Sequence, residues 1–272
     1  MRKAPKVAVI GAGNMGEAII AGILRSGLFQ AKDVRVVEVL EPRRRYISET
    51  YGVECVEIRK AVAFADVPII VVEPKRLREV LEQLKPALTS GKVLVSVVAG
   101  VPLENYRRYL PKDVPVVRVL PNVTCIVREA VIGVCPSENT PKDKLEVISL
   151  VLGQLGQVSV VDEKFLNLMT GFVGSGPAYV SVMIEAMADA GVRLGIPKDK
   201  SLMMAAQTML GTAKMVVERK EYPAKIKDKV ATPGGITVEG LLELEKGGLR
   251  ATIISAVGKA LDRTKEMERE RQ

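Results

Sequence analysis

The sequence predicts an α/β fold: a doubly wound sheet over residues 1–161, followed by an all-α segment over residues 162–272. Three observations carry this prediction. From Lys6 to Val161, short β-branched apolar runs alternate with segments of helical spacing. After Asp162 the strand-like runs give way to long stretches of helical period. The first apolar run also passes straight into a glycine-rich turn and an amphipathic segment, the order expected of a sheet wound with helices on both faces.

In order along the chain, the strand runs are Val7–Ile10, Val34–Val39, Val67–Val72, Val93–Val98, Val114–Val119, Ala130–Cys135 and Val158–Val161. Runs this apolar suit strands covered on both faces. The segments between them, such as Arg76–Leu88 and Pro141–Leu152, read as helices, giving strand-helix-strand units with right-handed crossovers. In the second part, helices are expected over Ala178–Leu194, Lys198–Arg219 and Val238–Lys246. The first of these is apolar around much of its circumference, more than a segment of about 110 residues buries alone. It is therefore expected to pack against a second copy of the chain, with an ordinary buried core helix as the alternative. The charged run Asp262–Gln272 reads as a solvated, fraying helix end.

Composition excludes several chemistries. The 272 residues contain no histidine, so Ser-His-Asp, Cys-His and histidine-metal mechanisms are unavailable. Cys55, Cys125 and Cys135 are too few and too scattered for a disulfide framework or a four-thiolate zinc site, and no metal is expected. A reducing, cytoplasmic location follows, with no secretory or membrane-spanning segment expected. The net charge of +8 divides as +6 up to Val161 and +2 after it. Tyr46, Tyr51, Tyr106 and Tyr109 lie near Arg43–Arg45 and Arg107–Arg108, but no single-strand-binding motif accompanies them. Solvated surface charge, with no nucleic-acid partner, is the expectation.

Val7-Ala-Val-Ile10-Gly11-Ala12-Gly13-Asn14-Met15-Gly16 runs from a buried strand into a helix expected over Glu17–Ser26. This is the context a dinucleotide-binding loop needs. Gly11 permits the tight turn, Gly13 lets a pyrophosphate approach the main chain, and Gly16 lets helix and strand pack closely. Amides at the helix start would hold the phosphate charge.

Which dinucleotide is favoured turns on the end of the second strand. Glu38, 22 residues after Gly16, stands where an acid accepts the ribose 2′-hydroxyl of NAD and repels the 2′-phosphate of NADP. Arg43, Arg44 and Arg45 stand where guanidinium groups would clamp that phosphate. The three cations outweigh one acid, so NADP is the expectation and NAD the alternative.

Two further glycine-rich stretches remain. Gly171-Phe-Val-Gly174-Ser175-Gly176-Pro177-Ala178-Tyr179 opens the apolar helix, with Pro177 suited to its first turn and Ser175 available as a cap. Thr232-Pro233-Gly234-Gly235-Ile236-Thr237 leads into another helix, and its amides and hydroxyls could cradle a carboxylate.

With these in order, the chain resembles pyrroline-5-carboxylate reductase over essentially its whole length. The resemblance rests on the Gly11–Gly16 loop, Ala99-Gly100-Val101, Arg118-Val-Leu-Pro121-Asn122, Gly174–Tyr179, Glu185-Ala-Met-Ala-Asp189-Ala-Gly191 and Pro233–Thr237. It implies a Rossmann-type domain followed by a helical dimerisation domain, with the imine site between them at the subunit interface of a homodimer, or of a higher homo-oligomer. It also implies reduction of a cyclic imine carboxylate to L-proline. The cofactor-binding set it carries over is Ile10, Gly11, Ala12, Gly13, Asn14, Met15, Gly16, Glu38, Arg43, Val72, Pro74, Ala99 and Asn122. The substrate set is Ser175, Glu221, Pro233, Gly234, Gly235, Ile236 and Thr237. Two departures stand out: the family's Val-Lys-Pro reads Val72-Glu73-Pro74, and its Met-Pro-Asn-Thr-Pro reads Leu120-Pro-Asn122-Val-Thr124.

An imine suits a chain without imidazole, because protonation of its own nitrogen makes it electrophilic, leaving orientation and electrostatics to the protein. Thr237 is expected to hydrogen-bond the ring nitrogen, with a helix N-cap as its alternative role. Gly234, Gly235 and neighbouring amides are expected to hold the carboxylate. Glu221 is expected at the substrate or else as an exposed helix-end carboxylate, and Asn122 at the nicotinamide amide or else as a turn stabiliser. A 3-hydroxyacid dehydrogenase of the 6-phosphogluconate type shares Gly171-x-x-Gly174-x-Gly176 but needs a lysine four residues later, where this chain has Val180. A cofactor-sensing scaffold is the non-enzymatic alternative; the intact Pro233–Thr237 turn argues against it.

Overall fold

The structure is a computed structural model and describes residues 4–88 and 91–269, with side chains to residue 266. Eight strands form one sheet: β1 Val7–Ile10, β2 Val34–Val37, β3 Glu54–Cys55, β4 Val67–Ile70, β5 Leu94–Ser96, β6 Val116–Leu120, β7 Ala130–Pro136 and β8 Gly156–Val160. Their spatial order is β3-β2-β1-β4-β5-β6-β7-β8. The accompanying helices are α1 Asn14–Arg25, α2 Glu41–Tyr51, α3 Ile58–Phe64, α4 Leu77–Leu84, α5 Leu103–Arg107, α6 Lys142–Leu152 and α7 Glu163–Met169. A π-helical turn, Thr170–Gly174, follows.

Strand alternation explains how both faces are filled. Val7 and Val9 of β1, Ile69 of β4, Val95 of β5 and Val117 of β6 join one apolar cluster with Ile19, Ile20 and Ile23 of α1. Ile10, Ile70, Leu94 and Val116 point the other way and pack with Leu81 and Leu84 of α4 and Tyr106 of α5. The double covering is what permits near-continuous apolar strands.

The structure differs from the sequence expectations in four places. The sheet is mixed: β6 and β7 pair antiparallel, while the other neighbours are parallel. Residues 121–129 between them are too few for the crossover a parallel partner requires. The two-residue β3 carries too little apolar pattern to read as a strand. β2 stops at Val37 rather than Val39 because the Glu38 carboxylate takes the amides of Val39 and Leu40 at 2.8 and 3.0 Å. Likewise Arg76–Leu88 is not one helix: Pro74 opens a 3₁₀ turn before α4 and Pro86 sits in another after it.

The chain divides into two compact units, residues up to Ser175 together with those from Ala260 onward, and Gly176–Lys259. α7 belongs to the first unit: its Leu166 and Met169 pack with Cys135 of β7, and its Glu163 pairs with Arg118 of β6. The second unit contains α8 Gly176–Arg193, α9 Lys198–Val217, α10 Pro223–Val230, α11 Ile236–Lys246 and the beginning of α12 Leu249–Arg269. α8 and α9 are joined by Ser201 Oγ, which donates to Ala188 O at 2.6 Å. Ala188 is the one buried residue of α8, so within this chain it is not an enclosed core helix. Val182, Met203 and Val217 are each more than 60% exposed, and Leu194 is 82% exposed. Of the charged run Asp262–Gln272, Asp262–Arg269 continue α12, and residues 270–272 lie outside the described residues.

Candidate active site

The sheet unit gathers the first group of expected residues at the carboxyl ends of its parallel strands. Gly11 has φ +101°, and a Cβ there would stand 2.3 Å from Val71 O. A Cβ on Gly16 would stand 2.0 Å from Gly11 O, so the turn and the start of α1 close only with glycine at both positions. Gly13 is different: a Cβ on it would meet nothing within 4 Å, so its main chain faces open space. Gly13 is also the N-cap of α1, with no side-chain cap. The amides of Asn14, Met15 and Gly16 open a helix whose positive end is unblocked. A cleft of about 420 Å³ runs beside the turn, lined among others by Ile10, Gly11, Gly13, Glu38, Val72 and Arg76. An open main chain, an uncapped helix start and an adjoining cleft fit the pyrophosphate and one nucleoside of a dinucleotide.

Side chains around the turn are cross-braced. Ala12 N donates to Glu38 Oε2 at 3.0 Å, and Arg43 Nε donates to Ala12 O at 2.7 Å. Arg43 also pairs with Glu17 of α1. Tyr46 and Tyr51 donate their hydroxyls to Glu17 Oε1 at 3.1 and 2.7 Å. Burial alone would raise the Glu17 pKa, but these three donors outweigh it and hold the carboxyl below its usual range. Desolvation and the neighbouring Glu17 push Tyr51 up to about 12. Sequence reasoning missed this hub: Glu17 looks like a routine first-turn acid, and its partners lie 26–34 residues away.

The remaining expected cofactor residues stand along the same sheet edge. Val72 and Pro74 follow β4, and Glu73 between them pairs with Lys75 at 2.7 Å. Its hydrogen bond to Lys75 lowers the Glu73 pKa. Ala99 lies exposed in the turn after β5. Asn122, after β6, is buried and bound by protein groups: its Nδ2 donates to Val173 O at 3.2 Å and its Oδ1 accepts from Thr124 Oγ1 at 2.5 Å. Arg118, buried on β6, pairs with Glu163 and donates to Asn167 Oδ1 at 3.3 Å. Glu163 also accepts from Leu103 N at 2.8 Å. Ser175 does not cap α8. It has right-handed helical angles and follows the π turn without a break, so the chain never takes the extended conformation a cap requires.

In the helical unit, Gly235 N donates to Thr232 O at 2.9 Å across a turn in which Gly234 has φ +69°. Gly235 is the N-cap of α11, without side-chain capping. Thr237 is therefore a first-turn residue and not the cap, and its hydroxyl makes no hydrogen bond among the described residues. Ile236 is 93% exposed. Glu221 pairs with Lys229 and with Arg219 at 3.4 Å, not with this turn. The Lys229 hydrogen bond lowers its pKa. Val180, where the rival dehydrogenase reading needs a lysine, is an apolar side chain in α8.

A nucleotide-binding edge on a doubly wound sheet, joined to a helical unit with its own open glycine turn, defines the class: a two-part dinucleotide-dependent oxidoreductase. Comparison with known proteins agrees. Residues 6–100 match the model for NADP oxidoreductase, coenzyme F420-dependent, and residues 163–267 match that for pyrroline-5-carboxylate reductase dimerisation. The chain is 37% identical to the pyrroline-5-carboxylate reductase of Methanosarcina acetivorans, over 96% of this chain and 97% of that one. A solved pyrroline-5-carboxylate reductase from Coxiella burnetii superposes with a TM-score of 0.87 at 29% identity, covering 97% of this chain and 98% of that one. The Plasmodium falciparum pyrroline carboxylate reductase, solved with NADP bound, also gives 0.87, at 26% identity, covering 98% and 99%. The chain belongs to the pyrroline-5-carboxylate reductase family.

Proposed function

We propose that this protein reduces the C=N bond of 1-pyrroline-5-carboxylate to give L-proline, using NAD(P)H, and works as a homodimer in the cytoplasm. The observation that supports this most is the Thr232–Thr237 turn: an uncapped helix start and a hydroxyl with no hydrogen-bond partner among the described residues, in the chain's most family-specific motif. Bound at the Gly11–Gly16 turn, a reduced nicotinamide supplies the hydride.

In this reading the amides at the start of α11, with Pro233, Gly234, Gly235 and Ile236 shaping the approach, hold the substrate carboxylate, which the positive helix end favours. Thr237 Oγ1 hydrogen-bonds the ring nitrogen and steers its proton. The protonated imine is already electrophilic, so orientation and a fixed polar surround suffice, and no imidazole is needed. Ser175 and Glu221 complete the substrate set. Ile10, Ala12, Asn14, Met15, Val72, Pro74, Ala99 and Asn122 contact the cofactor along the sheet edge. The functional division falls after Val161, close to where the dimerisation match begins, and the uncovered apolar surface of α8 and α9 supports pairing with a second copy. No helix among the described residues is long and apolar enough to cross a membrane.

Thr237→Ala is the test. Loss of a positioned proton-handling hydroxyl should lower kcat by about a hundredfold with an unchanged melting temperature, and Thr237→Ser should restore most of it. Unchanged turnover in Thr237→Ala would refute the assignment.

A further inference from the structure

We infer that Arg118 is a positioning residue for hydride transfer: through Glu163 and Asn167 it fixes the turn that ends in Ser175 against the strand end that carries Asn122. The inference rests on the reductase reading above. Arg118 is a buried cation on β6, and Asn122 lies just past that strand in an extended conformation. Arg118, Leu120 and Asn122 meet α7 and the π turn in matching order. Arg118 pairs with Glu163 and donates to Asn167, Leu120 packs with Leu166 and Met169, and Asn122 Nδ2 donates to Val173 O at 3.2 Å. Glu163 and Asn167 stand one turn apart on the same helix face, so a planar guanidinium spans both. Glu163 also accepts from Leu103 N, just after the turn that holds Ala99. One ion pair thus joins the exits of β5 and β6 to α7.

The pair is not what starts or seats α7. Asp162 caps the helix, its Oδ1 accepting from Phe165 N at 2.7 Å. Leu166 lies close over β7, where a Cβ on Gly133 would stand 2.6 Å from Leu166 Cδ1. Such apolar contacts are non-directional and permit sliding, whereas a fork on two acceptors sets where the helix lies along the strand. The π turn makes that placement matter. It interrupts the ordinary helical ladder and is gripped from outside, by Asn122 on Val173 and by the main chain of α12, since a Cβ on Gly171 would stand 2.8 Å from Leu261 N. Ser175 follows without a break. A shift of α7 would therefore reach both Asn122 and Ser175, and a misplacement of about 1 Å costs a reaction about a hundredfold in rate.

The experiment uses three variants of the intact protein. Arg118→Met combined with Glu163→Gln removes the pair without leaving a lone buried charge, Arg118→Lys keeps the charge and loses the fork, and Asn167→Ala removes one arm at a half-buried helix position. Thermal melts check folding, fluorescence titration gives the Kd for reduced dinucleotide, and kcat with the imine is measured with ordinary dinucleotide and with dinucleotide deuterated at the transferring position. We expect kcat to fall about ten- to a hundredfold in the first two variants and less in Asn167→Ala, with Kd within about twofold of the unmodified protein. The isotope effect on kcat should rise, because the chemical step has slowed relative to the others. A merely structural role would reduce the number of active molecules and leave the isotope effect unchanged. That result, or undiminished turnover in a folded Arg118→Lys, would overturn the inference. No imine reduction by the unmodified protein would sink it together with the reductase reading, whereas a working reductase indifferent to these variants would sink it alone.

Discussion

The two units of this chain are built on opposite plans. The sheet unit encloses its own apolar residues: Val9, Ile19, Ile69, Leu81 and Val95 are fully buried on the two faces of one sheet. In the helical unit only Ala188, Ser201, Ala205 and Ile226 are buried among the described residues, none of them completely, while Val182, Met203 and Val217 stay open to solvent. The first unit is a finished core that carries a glycine turn on its edge. The second is half a core, and its apolar surface is explained by a second copy laid against it. The glycine turn and its cleft are thus formed within one unit, whereas the helical unit leaves apolar surface uncovered.

This contrast can be broken most severely on the helical side. Val182→Glu combined with Met203→Glu should convert the dimer to a monomer in sedimentation at micromolar concentration and abolish turnover, since each unpaired carboxylate buried in an interface costs several kcal/mol. Cofactor binding by the sheet unit should survive. A dimer of unchanged mass would place the pairing surface elsewhere.

On the sheet side the glycines separate shape from function. Gly16→Ala drives a Cβ to 2.0 Å from Gly11 O and should lower unfolding free energy by about 2–3 kcal/mol in urea titration. Gly13→Ala meets no atom within 4 Å. It should leave stability within about 1 kcal/mol and yet weaken dinucleotide binding, because only the approaching phosphate meets the new methyl.

The smallest effect concerns the Glu17 hub. Its folded pKa is depressed, so its contribution is complete above the ordinary carboxylate range and is lost as pH falls through the lowered value. At neutral pH, Glu17→Gln should be less stable by about 1–2 kcal/mol, and the gap should close on acidification through and below the ordinary carboxylate range. A gap independent of pH would mean that the hub acts through packing alone.

Much of this was legible because it is local. Val7–Ile10 followed by Gly11-x-Gly13-x-x-Gly16 encodes strand, turn and helix within ten residues, and the observed φ of Gly11 and close approach of Gly16 follow from that spacing. The continuous burial along β1 and β4 was readable from their apolar runs. The antiparallel β7 was not, since direction depends on connection length and Ala130–Pro136 looks like any other apolar run. Nor were the charge partners: Arg43 reads as a phosphate clamp in isolation, and only folding brings it to Glu17 and Ala12. Asn122 shows the same limit. Its place at a strand end and its local bond from Thr124 were foreseeable, but its bond to Val173 depends on a π turn that no periodicity announces.

The most direct measurement is the decay of absorbance at 340 nm when the purified protein, 1-pyrroline-5-carboxylate and reduced dinucleotide are combined, with proline quantified in the same sample. The account predicts one proline formed per dinucleotide oxidised, with no added metal. Dinucleotide binding with no imine-dependent oxidation, from either NADH or NADPH, would contradict it.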